Sequence, residues 1–140
     1  MTGDMGMTYD EAAIAARLDR KFAIESARGW RPIKGQPLVG RVLDITHVPA
    51  ESKDRSNYNM WIIEPTTYLG APLPDSDCVA IHAFHQVLSD ALTAIDAKVG
   101  SLIAVRYEGA VEKPNEDGVM ETAYHHYTAV DVEKLMEDNA

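Results

Sequence analysis

The stretch FHQVLSDALTAIDAKVGSLIAVRYEG, residues 84–109, changes its hydrophobic period halfway along. Phe84, Val87, Leu88, Ala91, Leu92 and Ile95 recur at helical spacing and fall on one face. Gly100 supplies a stop, because a residue free to take positive φ commonly ends a helix. From Leu102 to Glu108 the period drops to two, with Ile103, Val105 and Tyr107 alternating against Ala104, Arg106 and Glu108. A helix therefore feeds directly into a half-buried strand.

Working upstream, Cys78–His82 with Val79 and Ile81 reads as a short strand, and Tyr58–Glu64 (Met60, Trp61, Ile62, Ile63) as another that Pro65 ends. Leu38–His47 is a β-branched run broken by Gly40, where a missing side chain lets a strand bend or another backbone approach. Residues 49–57 and 68–75 read as exposed loops. Downstream, Gly109–Glu121 reads as a polar turn region, Tyr124–Val132 as a fifth strand, and the residues after Glu133 as a tail with a short helix.

The N-terminal third has a different character. Residues 1–7 are rich in Gly and Met without periodicity and read as a frayed leader. Thr8 and Glu11 have capping-box spacing, Ile14, Leu18 and Phe22 recur every four residues, and Gly29 is a natural stop, so a helix is expected over about Tyr9–Arg28. Trp30–Pro37, with two prolines and a glycine, is an extended connector. The expected organisation is leader, helix and connector over 1–36, a barrel over 37–132 and an acidic tail over 133–140.

The order is strand, strand, strand, helix, strand, strand. It resembles the OB fold, a five-stranded Greek-key barrel with its helix between strands 3 and 4, so the fold expected is mainly β with an added N-terminal amphipathic helix. Closing such a sheet removes edges that invite aggregation. The segment Val99-Gly100-Ser101-Leu102 through Arg106-Tyr107-Glu108-Gly109, a polar turn and Tyr124-His125-His126-Tyr127 is similar to the closing half of small phage-encoded, single-stranded-DNA-binding-like OB proteins. That resemblance spans about Pro37–Val132 and implies single-stranded DNA binding in phage replication or recombination, in the host cytoplasm. It also implies a binding face around strands two and three and the loops after strands one and four.

Bases stack on aromatic rings while cations follow the phosphates. The residues of that face able to do so are Arg41, Lys53, Arg55, Tyr58, Trp61, Arg106 and Lys113. Along strand two, Tyr58, Met60 and Ile62 share one face and Asn59, Trp61 and Ile63 the other, so Trp61 has a core reading beside its ligand-facing one. Core packing is the first reading for Tyr107 and Tyr127. A second patch gathers Arg28, Arg31 and Lys34 around Trp30; its alternative is that Trp30 docks the N-terminal helix on the barrel.

Charge complicates a nucleic-acid reading. The formal net charge over 140 residues is -9, but residues 1–60 carry nine Lys or Arg against eight Asp or Glu, whereas residues 61–140 carry four against fourteen. Phosphate contacts draw their affinity from Lys and Arg, and Arg28–Arg41 holds four cations and no acid, a local basic patch on an acidic body. The acidic balance favours a second reading, an OB-type protein-interaction or assembly module whose helix lays Ile14, Leu18 and Phe22 on a partner, on its own barrel or on a second copy; the acidic tail is another candidate hook.

No Gly-x-Ser-x-Gly, Gly-x4-Gly-Lys or Gly-x-Gly-x-x-Gly pattern occurs, and the expectation is a non-enzyme without cofactor. Cys78, His82 and His85, with His125-His126, do not have the spacing of zinc fingers or ribbons, so no metal is expected. The single cysteine makes no internal disulfide, which suits a reducing compartment, and no apolar run approaches the roughly 18 residues of a membrane span.

Overall fold

Strand β2 (Pro37–Val48) is the one from which the sheet is built outward. In the computed structural model, which describes residues 9–50, 57–67, 69–74, 77–83 and 85–138, it follows α1 (Glu11–Glu25) and β1 (Arg28–Gly29). After it come β3 (Tyr58–Pro65), β4 (Val79–His82), α2 (Gln86–Ala94), β5 (Leu102–Pro114), β6 (Met120–Asp131) and α3 (Val132–Asp138). All six strands form one sheet in the order β1-β4-β3-β2-β5-β6, antiparallel except for the β1–β4 pair.

β2 pairs with β5 over Pro37–Arg41 and with β3 over Gly40–Val48, so only Gly40 and Arg41 have strand partners on both sides. The chain hands over from one neighbour to the other at that point, and the sheet curls there. Leu43 sits in a register irregularity between Val42 and Asp44, a bulge that adds twist. Gly40 permits the close approach: a Cβ there would lie 2.4 Å from the Glu64 carbonyl oxygen and 2.4 Å from Ile63 Cγ2.

Two faces of the sheet are packed by different helices. The inner face carries Val42, Trp61, Ile63, Ile81, Ile103 and Val105, and α2 lays Leu88 and Leu92 upon it. Burial of each such aliphatic side chain contributes about 1.5–3 kcal/mol. The outer face carries Ile62, Cys78 and Ala80, against which Ala23 and Ile24 of α1 and the following Ala27 pack. Period-two alternation along β3 sorts Trp61 and Ile63 inward and Met60 and Ile62 outward.

Several expectations change. The sheet has six strands rather than five, because Arg28–Gly29, expected at the helix end, is extended and pairs with Val79–Ala80. It is not a hydrogen-bonded closed barrel among the described residues, since β1 and β6 are its two edges. They meet through side chains: the Trp30 and Tyr127 rings lie 6.0 Å apart. α1 is capped by Asp10, whose carboxylate accepts from the Ala13 N–H at 3.2 Å, and it ends at Glu25 with Ser26 as its C-cap; Thr8 lies outside the described residues. α2 ends before Gly100. Asp96 takes the left-handed conformation (φ 52°) while Ala97 N–H donates to Leu92 C=O and Asp96 N–H to Thr93 C=O, the Schellman arrangement, and Gly100 (φ 95°) serves the next turn. The presumed turn 109–121 is mostly strand: β5 and β6 stay paired out to Pro114 and Met120, and only Asn115–Val119 turns.

Gly40→Ala is expected to lower unfolding free energy by about 3 kcal/mol, since backbone and core would both have to move. Gly118→Ala, at φ 79° with open space around it, should cost only about 1 kcal/mol. Urea unfolding of the two variants measures the contrast.

Candidate nucleic-acid interface

The residues read from the sequence fall into two groups that the structure treats differently. In the first, Trp61 is 3% exposed and its indole N–H donates to the Ala97 carbonyl at 3.1 Å, so it joins α2's end to the core and offers no ring face to a ligand. Tyr58 is half-buried, its hydroxyl 3.1 Å from His82 Nδ1. Arg41 donates through Nη1 to the Gly100 carbonyl at 2.7 Å and to Glu133 at 3.1 Å, tying β2 to α3. Arg106 forms a two-pronged pair with Glu108 that holds the Glu108 carboxyl below the usual carboxylate range. The Lys113 ammonium lies 5.9 Å from the centre of the Tyr124 ring. Lys53 and Arg55 lie outside the described residues. The cations described in this group thus serve internal contacts.

The second group converges. After α1, β1 draws the chain along β4, with the Arg28 N–H donating to Cys78 C=O and the Trp30 N–H to Ala80 C=O. The connector then crosses to the other side of the sheet, where the Gly35 N–H donates to Tyr107 C=O. Arg28, Gly29, Trp30, Arg31 and Val79 line one open depression of about 710 Å³. Trp30 is half-buried and packs against the inner core and Tyr127 rather than against α1, so it docks the connector, not the helix. Arg28 pairs with Asp77 at 2.9 Å, both ends well exposed, while Arg31 has no ion pair among the described residues. Lys34 lies along Gly109, whose missing side chain leaves room for it: a Cβ there would be 3.0 Å from Lys34 Cε. An aromatic flanked by three cations, two on the rim of the depression, can stack a planar ring and neutralise phosphate.

The sequence reading named His85 and His125 in a metal set it set aside and Tyr107 and Tyr127 as core residues, but did not join the four; the structure brings them together. Tyr107 hydroxyl meets His125 Nδ1 at 2.7 Å, the Tyr107 and Tyr127 ring centres are 5.1 Å apart, and His85, just before α2, lies 5.6 Å from the His125 ring and 6.3 Å from Tyr127. The signal was the alternation His125-x-Tyr127 on a strand paired to Tyr107, which sets these rings on one face. Burial, with His125 adding a smaller effect, pushes the His85 pKa below 6.5; burial, with Tyr107, pushes the Tyr127 phenol up. Burial likewise raises the Cys78 thiol, with Glu64 and Asp77 adding to it, which keeps it protonated and unreactive. No three His, Cys, Asp or Glu side chains among the described residues are grouped to hold a metal ion.

Because His85 is neutral-favouring in the fold, the unfolded chain takes up its proton first as pH falls. Its stabilising effect is full above 6.5 and is lost as pH drops through that value toward the lower folded pKa. Denaturant midpoints measured between about pH 8 and pH 5 should fall over this window, and His85→Gln should flatten that part of the profile. No protein-family model, no curated protein and no solved structure matches the chain, so the geometry carries the functional argument.

Proposed function

We propose that the protein is a single-stranded nucleic-acid-binding module of the OB type that takes single-stranded DNA across the Trp30 connector. The observation that carries this is the convergence of Arg28, Trp30 and Arg31 on one open depression, with Lys34 further along the same connector. The strand order supports the OB reading: β2 is central between β3 and β5, β4 and β6 lie outside them, and α2 connects β4 to β5. The sequence resemblance extends the proposal to a phage-encoded protein acting in replication or recombination. The site sits on the N-terminal half of the chain, the half without the acidic excess.

A second reading, an assembly module that binds no nucleic acid, is favoured by one feature. α1 covers part of the outer face of β3 and β4, where the OB resemblance places a ligand. No helix among the described residues is long and apolar enough to cross a membrane.

Fluorescence anisotropy with a labelled single strand of about thirty nucleotides, repeated over a salt series, tests the first reading. The expected result is affinity that falls steeply with salt, with Arg31→Glu/Lys34→Glu losing binding and reducing the log–log salt slope by about 1–2. Arg106→Glu should leave affinity within about threefold, because its guanidinium is already held by Glu108. Absence of binding at low salt would overturn the proposal and leave the assembly reading.

A further inference from the structure

Three of the large apolar side chains of α1, Ile14, Leu18 and Phe22, do not face the sheet. At about 100° per residue, Ala23, Ile24 and Ala27 lie on the side that meets β3 and β4, and Arg20 on that side donates to the Leu43 carbonyl at 2.7 Å. The helix is thereby seated at its C-terminal end through Ala23 and Ile24, and by the Arg20 guanidinium. Ile14, Leu18 and Phe22 point the opposite way and are 44%, 62% and 71% exposed. None of the helix's residues is buried. A contiguous exposed apolar stripe on a helix anchored only at its last turn and through Arg20 marks an interaction surface.

Its flanks indicate what covers it. Arg17 and Lys21 lie along one side of the stripe and Asp19 along the other, with Glu11 at its N-terminal end and Glu25, 3.8 Å from Lys21, at its C-terminal end. When two identical helices pack in parallel about a two-fold axis, opposite flanks meet, so Arg17 of each faces Asp19 of the other. In antiparallel packing like flanks meet, and cation would oppose cation. The spacing 14, 18, 22 is an i±4 ridge, and two such ridges interdigitate at a crossing angle of about -50°. With Leu18 at the crossing point the ends diverge, which separates Glu11 and Glu25 from their counterparts.

We infer that the protein forms a two-fold homodimer through α1, the helices crossing in parallel at Leu18 with Ile14 and Phe22 on either side and Arg17 opposite the second copy's Asp19. A 15-residue helix alone covers less than the ~800 Å² per partner of a standard interface, so the dimer dissociates on dilution. This dimer does not depend on the nucleic-acid proposal.

Sedimentation equilibrium of the full chain over a concentration series, without nucleic acid, tests it. The expected result is a reversible monomer–dimer equilibrium that Leu18→Glu abolishes, with an unchanged circular dichroism spectrum because Leu18 makes no core contact in the monomer. Arg17→Glu alone and Asp19→Arg alone should each raise the dimer dissociation constant roughly three- to tenfold, and the double variant Arg17→Glu/Asp19→Arg should restore it. A monomer at every concentration, or a dimer that survives Leu18→Glu, would overturn the assignment of α1 as the interface. Failure of the double variant to restore dimerisation would overturn the parallel pairing.

Discussion

The close approach of β2 and β3 backbones at Gly40 is the constraint from which the architecture follows. At Gly40 and Arg41 the strand is hydrogen-bonded on both sides; before them it belongs to β5, after them to β3. A side chain at residue 40 would collide with the Glu64 carbonyl and Ile63, so the curl needs a residue without a Cβ at the handover. The curl turns the alternate residues of β2, β3 and β5 toward one another, and Val42, Ile63 and Ile103 become a single core that α2 can cover. The Schellman end of α2 then returns the chain through Ala97, whose carbonyl takes the indole N–H of Trp61, and delivers it to β5.

A sheet curled in this way leaves two edges facing each other. Hydrogen bonds do not join them; aromatic and imidazole rings do. Trp30 reaches from the β1 side to Tyr127, which packs at a tilt against Tyr107 and stacks with His85. The arrangement couples closure to the connector, because the residue that closes the gap is also the aromatic of the cationic depression. Ring contacts of this sort contribute about 0.5–1.5 kcal/mol each beyond their buried area. Functional and structural roles of Trp30 are therefore inseparable by substituting the tryptophan itself, whereas Arg31 and Lys34 carry charge without closing the seam.

The distribution of cations separates two kinds of surface. Arg41 and Arg106 lie on strands and each is consumed locally, one by Glu133 of α3 and the other by Glu108 two positions along its own strand. Arg31 and Lys34 lie on an irregular connector that belongs, in sequence, to the half of the chain without the acidic excess. α1 adds a third surface, apolar at its centre and oppositely charged on its two sides, held outward by the contact of Arg20 with the sheet.

Much of this was legible from local pattern. The change of period across residues 84–109 gives α2 and β5, and the two-fold period of residues 58–64 puts Trp61 and Ile62 on opposite faces, because side-chain direction in regular structure depends on sequence spacing; that Trp61's face is the core was decided by the fold. The grouping of Arg28, Trp30, Arg31 and Lys34 was visible as a run of cations around an indole. What the sequence could not specify depends on partners distant in the chain. Arg28–Gly29 is a strand only because the β4 edge offers unpaired backbone groups, and the hairpin extends past Gly109 because each polar residue in it finds a cross-strand partner. The fates of Arg41 and Arg106, and the direction in which Ile14, Leu18 and Phe22 point, were likewise decided in three dimensions. Periodicity shows that a helix has an apolar face, but whether that face turns to its own sheet depends on which residues the backbone approach brings into contact, and here those of α1 are Ala23 and Ile24 in its last turn.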